Sequence, residues 1–395
     1  MALSLSKGIP RASNQGVEWV DSLLIPGEVK MNKKERFQAV RECRAPDVMP
    51  VWSCSLSQTI FGQGLLLPDV TGQDWYDSGK ITEAILGSIR NIDYDLAIPF
   101  YADFGFGVPP LGGRFNIPDK FGIAVTTTDD QPVKTKDDWP KVQKKLATFD
   151  IRTTDPRMKG ALEVIRNVSL AVGDTMPLVP FTFIGSTAAM FLFRPGDAFI
   201  EDMEDDHGWV DEMCRVATEW SMDWIRAQYE AGANSVTFIV DVFGTLMATP
   251  RQAERFNLPN IRRVVEMVKK EFKQGVWIHL HGDMKQPEAY EYLVKLAKEA
   301  GIEGVHLDEN HPPEWIKENV VKKLGIPSCI MTDNALLISG PVEKIKANVK
   351  DQVTKIGDGL GIMMAPSCQV PPSSSNEHFK TWVDATHEYG KYPLR

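Results

Sequence analysis

Several things this chain lacks narrow what it can be. No apolar run reaches about 18 residues, so no membrane span is expected. There is no basic surplus: 44 Lys and Arg against 53 Asp and Glu leave a formal charge of −9. Nucleic acid and anionic membrane surfaces are therefore poor partners, since both need a basic face. Cysteine is scarce. Cys43, Cys54, Cys214, Cys329 and Cys368 are odd in number and widely spaced, which excludes a disulfide framework and points to reduced thiols in a cytoplasm. The opening MALSLSKGIPRASNQ has no continuous apolar stretch and does not read as a signal peptide. No glycine-rich phosphate loop follows the first apolar run, which counts against an open dinucleotide-binding sheet.

What is present is ordinary in bulk and organised in detail. At 43% hydrophobic and 25% charged, the composition is that of a soluble globular protein. Short apolar runs recur: VMPVWSC, YDLAIPF, PLVPFTFIG, SVTFIVD, GVWIHLHG, GVHLD, PSCIM and GIMMAP. Amphipathic helical stretches lie between most of them, WVDEMCRVATEWSMDWIRAQYEAGA being the clearest. Eight buried strands alternating with helices predict an α/β fold, a closed (β/α)8 TIM barrel, over residues 46–395. Residues 1–45 read as an N-terminal arm and helix packed on the barrel. Residues 104–150, rich in Gly, Pro and Phe at their start, predict a loop and hairpin inserted at the barrel mouth.

Active sites of such barrels lie at the C-terminal strand ends. There the sequence places Cys54, Asp103, Thr182, Asp241, His279, His281, Asp308, Glu309, Asp333, Asn334 and Cys368. In a strand, residues i and i+2 share a face, so His279 and His281 point the same way. Two buried imidazoles need partners. With Cys368 they form an N, N, S set that suits zinc and leaves a fourth position open. Two hydrogen-bonded core histidines and an unrelated thiol fit the spacing equally well.

From about residue 32 onward, the segments MNKKERFQAVRECRAPDVMPVW, YDLAIPFYAD, IHLHG and APSCQVPPSSSNEHFKTWVDATHEYGKY, in that order, together resemble the uroporphyrinogen decarboxylase superfamily, including its cobalamin-dependent methyltransferases. MNKKERFQAVRECRAPDVMPVW is similar to the family's opening helix and first strand. YDLAIPFYAD resembles the segment carrying the family's central aspartate, here Asp103. YEAGANSVTFIVDVFG, MTDNALLISGP and APSCQVPPSSSNEHFKTWVDATHEYGKY match later signatures, and IHLHG falls where the methyltransferases carry His-x-Cys-Gly. The resemblance implies a (β/α)8 barrel. VWSCSLSQTIFG lacks the arginines with which the decarboxylases grip substrate carboxylates, so a porphyrinogen substrate is not expected.

The methyltransferases bind zinc through His-x-Cys and a later Cys; this chain keeps His279 and Cys368 but has His281 in the middle. Two imidazoles and one thiolate leave Zn(2+) with a net charge of +1, a stronger Lewis acid than the two-thiolate centre. The resemblance thus implies a demethylating methyltransferase. It would move a methyl group from a small donor, first of all a methoxylated aromatic, to Co(I) of a corrinoid (cobalamin) carried by a partner protein. A thiol-methylating enzyme and a metal-free decarboxylase-like enzyme are the alternatives. Asp241 and Asp308 are read as acceptors for a ligand imidazole, as a fourth ligand, or as loop caps. Glu309 is read as a ligand or general acid, and Asp103 as orienting substrate. Cys54, Tyr101, Phe104, Thr182, Phe183, Arg194, Phe243, Asp333 and Asn334 are read as lining the substrate pocket. His306 shares the Asp308 face or is a core histidine; His207, His311, His378 and His387 are read as surface residues. The family often dimerises, so the resemblance allows a homodimer, while the residues themselves leave the oligomeric state open.

Overall fold

The computed structural model describes residues 30–126, 130–242 and 247–394. Phe243 and the first 29 residues, with the predicted arm, lie outside the described residues. Met31–Arg395 forms one compact unit.

A short antiparallel hairpin, β1 (Phe115–Asn116) and β2 (Val125–Thr126), forms within the predicted insertion. Six parallel strands then follow in spatial order: β3 (Phe181–Phe183), β4 (Thr237–Asp241), β5 (Val276–Leu280), β6 (Gly304–His306), β7 (Ser328–Thr332) and β8 (Ile362–Pro366). The ring closes through single parallel bridges. Val51 meets Met364 of β8, Trp52 meets Leu96, and Ala97 meets Leu178 just before β3. This is the predicted (β/α)8 barrel, with its first two strands reduced to bridges. The reason is in the sequence: Pro50, Pro99, Pro177 and Pro180 fall in these segments and have no N–H to give to a ladder.

The stretch read as the clearest helix forms His207–Glu230, and further helices Leu258–Phe272, Pro287–Lys295 and Val342–Thr354 lie between later strands. The opening helix, Lys33–Arg41, starts with a reciprocal cap in which Asn32 and Glu35 satisfy each other's backbone N–H. Its Phe37 packs on Trp277 near the start of β5 (ring centroids 5.7 Å), plugging the barrel end away from the mouth. Gly304 stands opposite Trp277 in the β5–β6 register, and a Cβ there would come within 2.3 Å of the indole. Further up the interior, Trp52, Phe238, His279 and His306 pack ring against ring, with centroids 3.9 to 6.1 Å apart.

Candidate metal centre

β5 carries His279 as its fourth residue, and His281 follows its end. Gly282 turns the chain there with φ 115°, a conformation open to glycine. Cys368 follows β8 by two residues. The barrel's curvature brings the three together: their ligand atoms all lie within 4.8 Å of one another. Cys368 Sγ is 3.9 Å from His281 Nε2, and the two imidazole centroids are 4.3 Å apart.

His279 fixes the chemistry of the cluster. Its Nδ1 lies 3.2 Å from the His306 carbonyl oxygen. A carbonyl only accepts, so Nδ1 carries the proton and Nε2 carries a lone pair. That Nε2 is buried without a hydrogen-bond partner. Burial, with His306 and His281 alongside, pushes the His279 pKa well below the usual value, so the ring is neutral. A neutral imidazole with one nitrogen tied to a carbonyl and the other bare is how metal-binding histidines are prepared. Burial also lowers His281, against the opposing charges of Asp308 and Glu309. Burial pushes the Cys368 thiol up to about 11, so a metal taken up here displaces its proton. The residues fit a divalent metal with N and S preference.

The neighbouring acids divide. Burial works against ionisation of Asp308, but hydrogen bonds from His311 and from the Gly282 and Asn310 N–H groups outweigh it and hold its carboxyl below the usual range. Glu309 is exposed at the rim, where its charge acts on both His281 and Cys368. Asp241 turns outward to the helix layer: Thr187 donates to it at 3.3 Å, Asn257 at 3.0 Å and Tyr292 at 3.3 Å. It ties the end of β4 to Thr187, Asn257 and Tyr292 in the layer behind the strand.

Arg194 does not serve as a free carboxylate clamp. Its guanidinium pairs with Asp202 at 2.8 Å and donates to the Val133 and Lys134 carbonyls. Asp103 is likewise engaged: fully buried, it accepts from Gly105 N–H at 2.8 Å and pairs with Arg157, which is itself fully buried. Asp333 caps the helix Asn334–Ser339 through Ala335 N–H, and Asn334 Oδ1 is buried without a partner. Thr182 and Tyr101 are buried, and Cys54 is buried with φ 40°, left-handed backbone rare outside glycine. Strands one and eight pair, which brings Cys54 near Cys368; burial first, then the neighbouring Cys368 and Cys329, push the Cys54 thiol well above its usual pKa.

The aromatic mouth segments pack on themselves. Phe104 stacks on Phe191 at 4.7 Å and meets Phe183 edge-on at 4.9 Å. The cavity they share with Trp220 and Thr182 is about 30 Å3, room for a water molecule or two rather than a ring.

Three residues were misread or missed. His311 is buried, not a surface residue: its Nε2 accepts from Met284 N–H at 3.0 Å and its Nδ1 donates to Asp308. Arg157, on the helix Pro156–Val172, and Asn257, in the turn between the helices Pro250–Phe256 and Leu258–Phe272, hold Asp103 and Asp241, and nothing in their local sequence marks them.

A family profile described as uroporphyrinogen decarboxylase (URO-D) matches residues 32–389. The methylcobamide:CoM methyltransferase MtaA of Methanosarcina barkeri is 22% identical over 362 residues, covering 90% of this chain and 98% of that protein. The uroporphyrinogen decarboxylase of Ruthia magnifica subsp. Calyptogena magnifica is 23% identical over 320 residues, covering 78% and 84%. Among solved structures, a methyltransferase from Methanosarcina mazei superposes with a TM-score of 0.71 at 21% identity, over 91% of this chain and 99% of that one.

Proposed function

The chain belongs to the uroporphyrinogen decarboxylase family, and we propose that within it this protein is a corrinoid-dependent methyltransferase that demethylates a small donor. The methyl group of a methyl ether, a methoxylated aromatic first of all, passes to Co(I) of a corrinoid held by a partner protein. The cluster of His279, His281 and Cys368 carries the reading, together with the methyltransferase names of relatives matched over nine-tenths of the chain.

His279, His281 and Cys368 would hold zinc. Bound there, zinc supplies a centre of net charge +1 that draws electron density from the donor oxygen. The chain's own residues set up the rest. The His306 carbonyl fixes the His279 tautomer. Asp308 pins the Gly282 turn, and His311 pins Asp308, so the loop bearing His281 has one arrangement. Glu309, at the exposed rim, would relay a proton from solvent to the departing oxygen. The interior aromatic cavity is too narrow for a ring, so an aromatic donor would sit at the open rim, beside His281 and Glu309, rather than among the phenylalanines.

A second reading has a specific observation behind it. Two relatives are named for methyl transfer from a methylcobamide to coenzyme M, a thiol. His281 separates the two, because a second imidazole weakens a centre for thiolate activation and strengthens it as a Lewis acid.

The test begins with metal content. About one zinc per chain in the wild type, lost in His281→Ala and Cys368→Ala, supports the site. Methyl ethers are then offered with a Co(I) corrinoid, and methyl-Co(III) is followed by its absorption. Formation of methyl-Co(III) from an ether supports demethylation. Loss of methyl-Co(III) to a thiol, with no reaction from ethers, overturns it in favour of the second reading. A wild type free of metal sinks both.

A further inference from the structure

His306 shares neither the position nor the role of a ligand, yet it touches both halves of the cluster. Its backbone carbonyl accepts the His279 Nδ1–H at 3.2 Å. Its side chain reaches elsewhere: Nε2 donates to the Pro366 carbonyl at 2.8 Å. Pro366 ends β8, two residues before Cys368. The ring also lies against His279, with centroids 4.5 Å apart and planes 28° apart.

The reach from β6 to β8 passes over β7. The ladder there is thin, since β6 and β7 pair only through Val305 and Ser328. Pro366 pairs in register with Thr332 of β7, so β7 and β8 hold together up to the mouth while β6 does not follow. β6 is laddered to β5 as far as His279 and His306, so without a cross-tie the β5–β6 pair would be held to the β7–β8 pair by the Val305–Ser328 rung, well below Cys368. Metal sites tolerate little play between ligands, because ligand distances are set to a few tenths of an ångström.

We propose that His306 is a positioning residue for the metal centre, a cross-brace that fixes the His279-bearing and Cys368-bearing strand ends at one separation. This rests on the metal site proposed above. One side chain does two jobs: its donor holds the β8 end, and its stacked face holds the His279 ring in plane.

The experiment loads the full-length protein with Co(II) alone, whose absorption bands report ligand geometry and whose thiolate charge-transfer band reports the bond to Cys368. His306→Phe keeps a flat ring and removes the donor; His306→Gln puts an amide N–H where Nε2 was. Metal affinity, from competition with a chelator, falls roughly 10- to 100-fold in His306→Phe, with a shifted charge-transfer band. His306→Gln recovers much of both. Should His306→Phe fail to fold, His306→Gln against His306→Leu gives the same comparison. Wild-type affinity and an unchanged spectrum in a folded donor-less variant overturn the brace while leaving the metal site standing. A wild type that takes up no cobalt overturns both.

Discussion

Replacing Arg157 by Met leaves the Asp103 carboxyl buried without its countercharge, and the consequences can be worked through. Both side chains of the pair are 0% exposed. Arg157 also lies over the Phe115 ring of the hairpin at 3.9 Å and over Phe106 at 5.0 Å. Burial already raises the Asp103 pKa, with Arg157 acting against it. Without Arg157 the pKa rises further and the carboxyl takes up a proton. Holding it protonated against an unfolded value near 3.9 costs about 4 kcal/mol at pH 7 and about 1.5 kcal/mol at pH 5. These figures bound the charge part of the loss, and agree with the roughly 3–5 kcal/mol for breaking buried pairs. The sign follows: a carboxyl whose folded pKa lies above its unfolded one favours the folded state below the unfolded value and loses that contribution as pH rises. Urea denaturation of Arg157→Met should therefore show a large deficit at pH 7 that shrinks toward pH 5. Adding Asp103→Asn should recover stability at pH 7. A deficit independent of pH, or no recovery in the double variant, refutes the account of a buried charge.

His281→Cys restores the two-thiolate pattern; ether demethylation should fall by at least tenfold while thiol methylation appears, as followed by corrinoid absorbance with each substrate. Asp241→Ala strips the acceptor from Asn257 and Tyr292 and should lower stability by about 1–3 kcal/mol in denaturant while metal content stays at the wild-type level. Zinc uptake should release about one proton per site at pH 7, from Cys368 alone, since His279 and His281 are held toward neutrality. Calorimetry in buffers of different ionisation enthalpy counts it; two or none contradicts the protonation states assigned here.

Eight apolar runs each bounded by turn residues were enough to read the barrel, because strand burial on both faces leaves a local mark. His279 and His281 were legible as a pair because the strand repeat is two, and Cys368 because it follows the last strand. Orientation was less legible. Asp241 follows an apolar run just as His279 sits in one, but it faces the helices, and the strand end alone does not say which face a residue takes. Arg194 reads as a mouth residue beside FLF, and Asp202, eight residues on, claims it. The aromatic segments read as a ring slot, yet phenyl groups satisfy one another when packed, which composition cannot distinguish from an open pocket.

The proline-marked seam has a consequence for how the chain reaches this state. Until the segments at 51–52 and 96–97 dock, β3 to β8 would make an open six-stranded sheet with two bare edges, which invite pairing with other chains. Pro180 stands before β3 and Pro366 ends β8, so both edges are short of donors during that interval. Closure then joins Val51 to Met364 from opposite ends of the chain. Ring completion needs segments from both ends of the chain, so we expect it late in folding, and pulse-labelled hydrogen exchange should find the Trp52 amide among the last protected; early protection there would contradict this order.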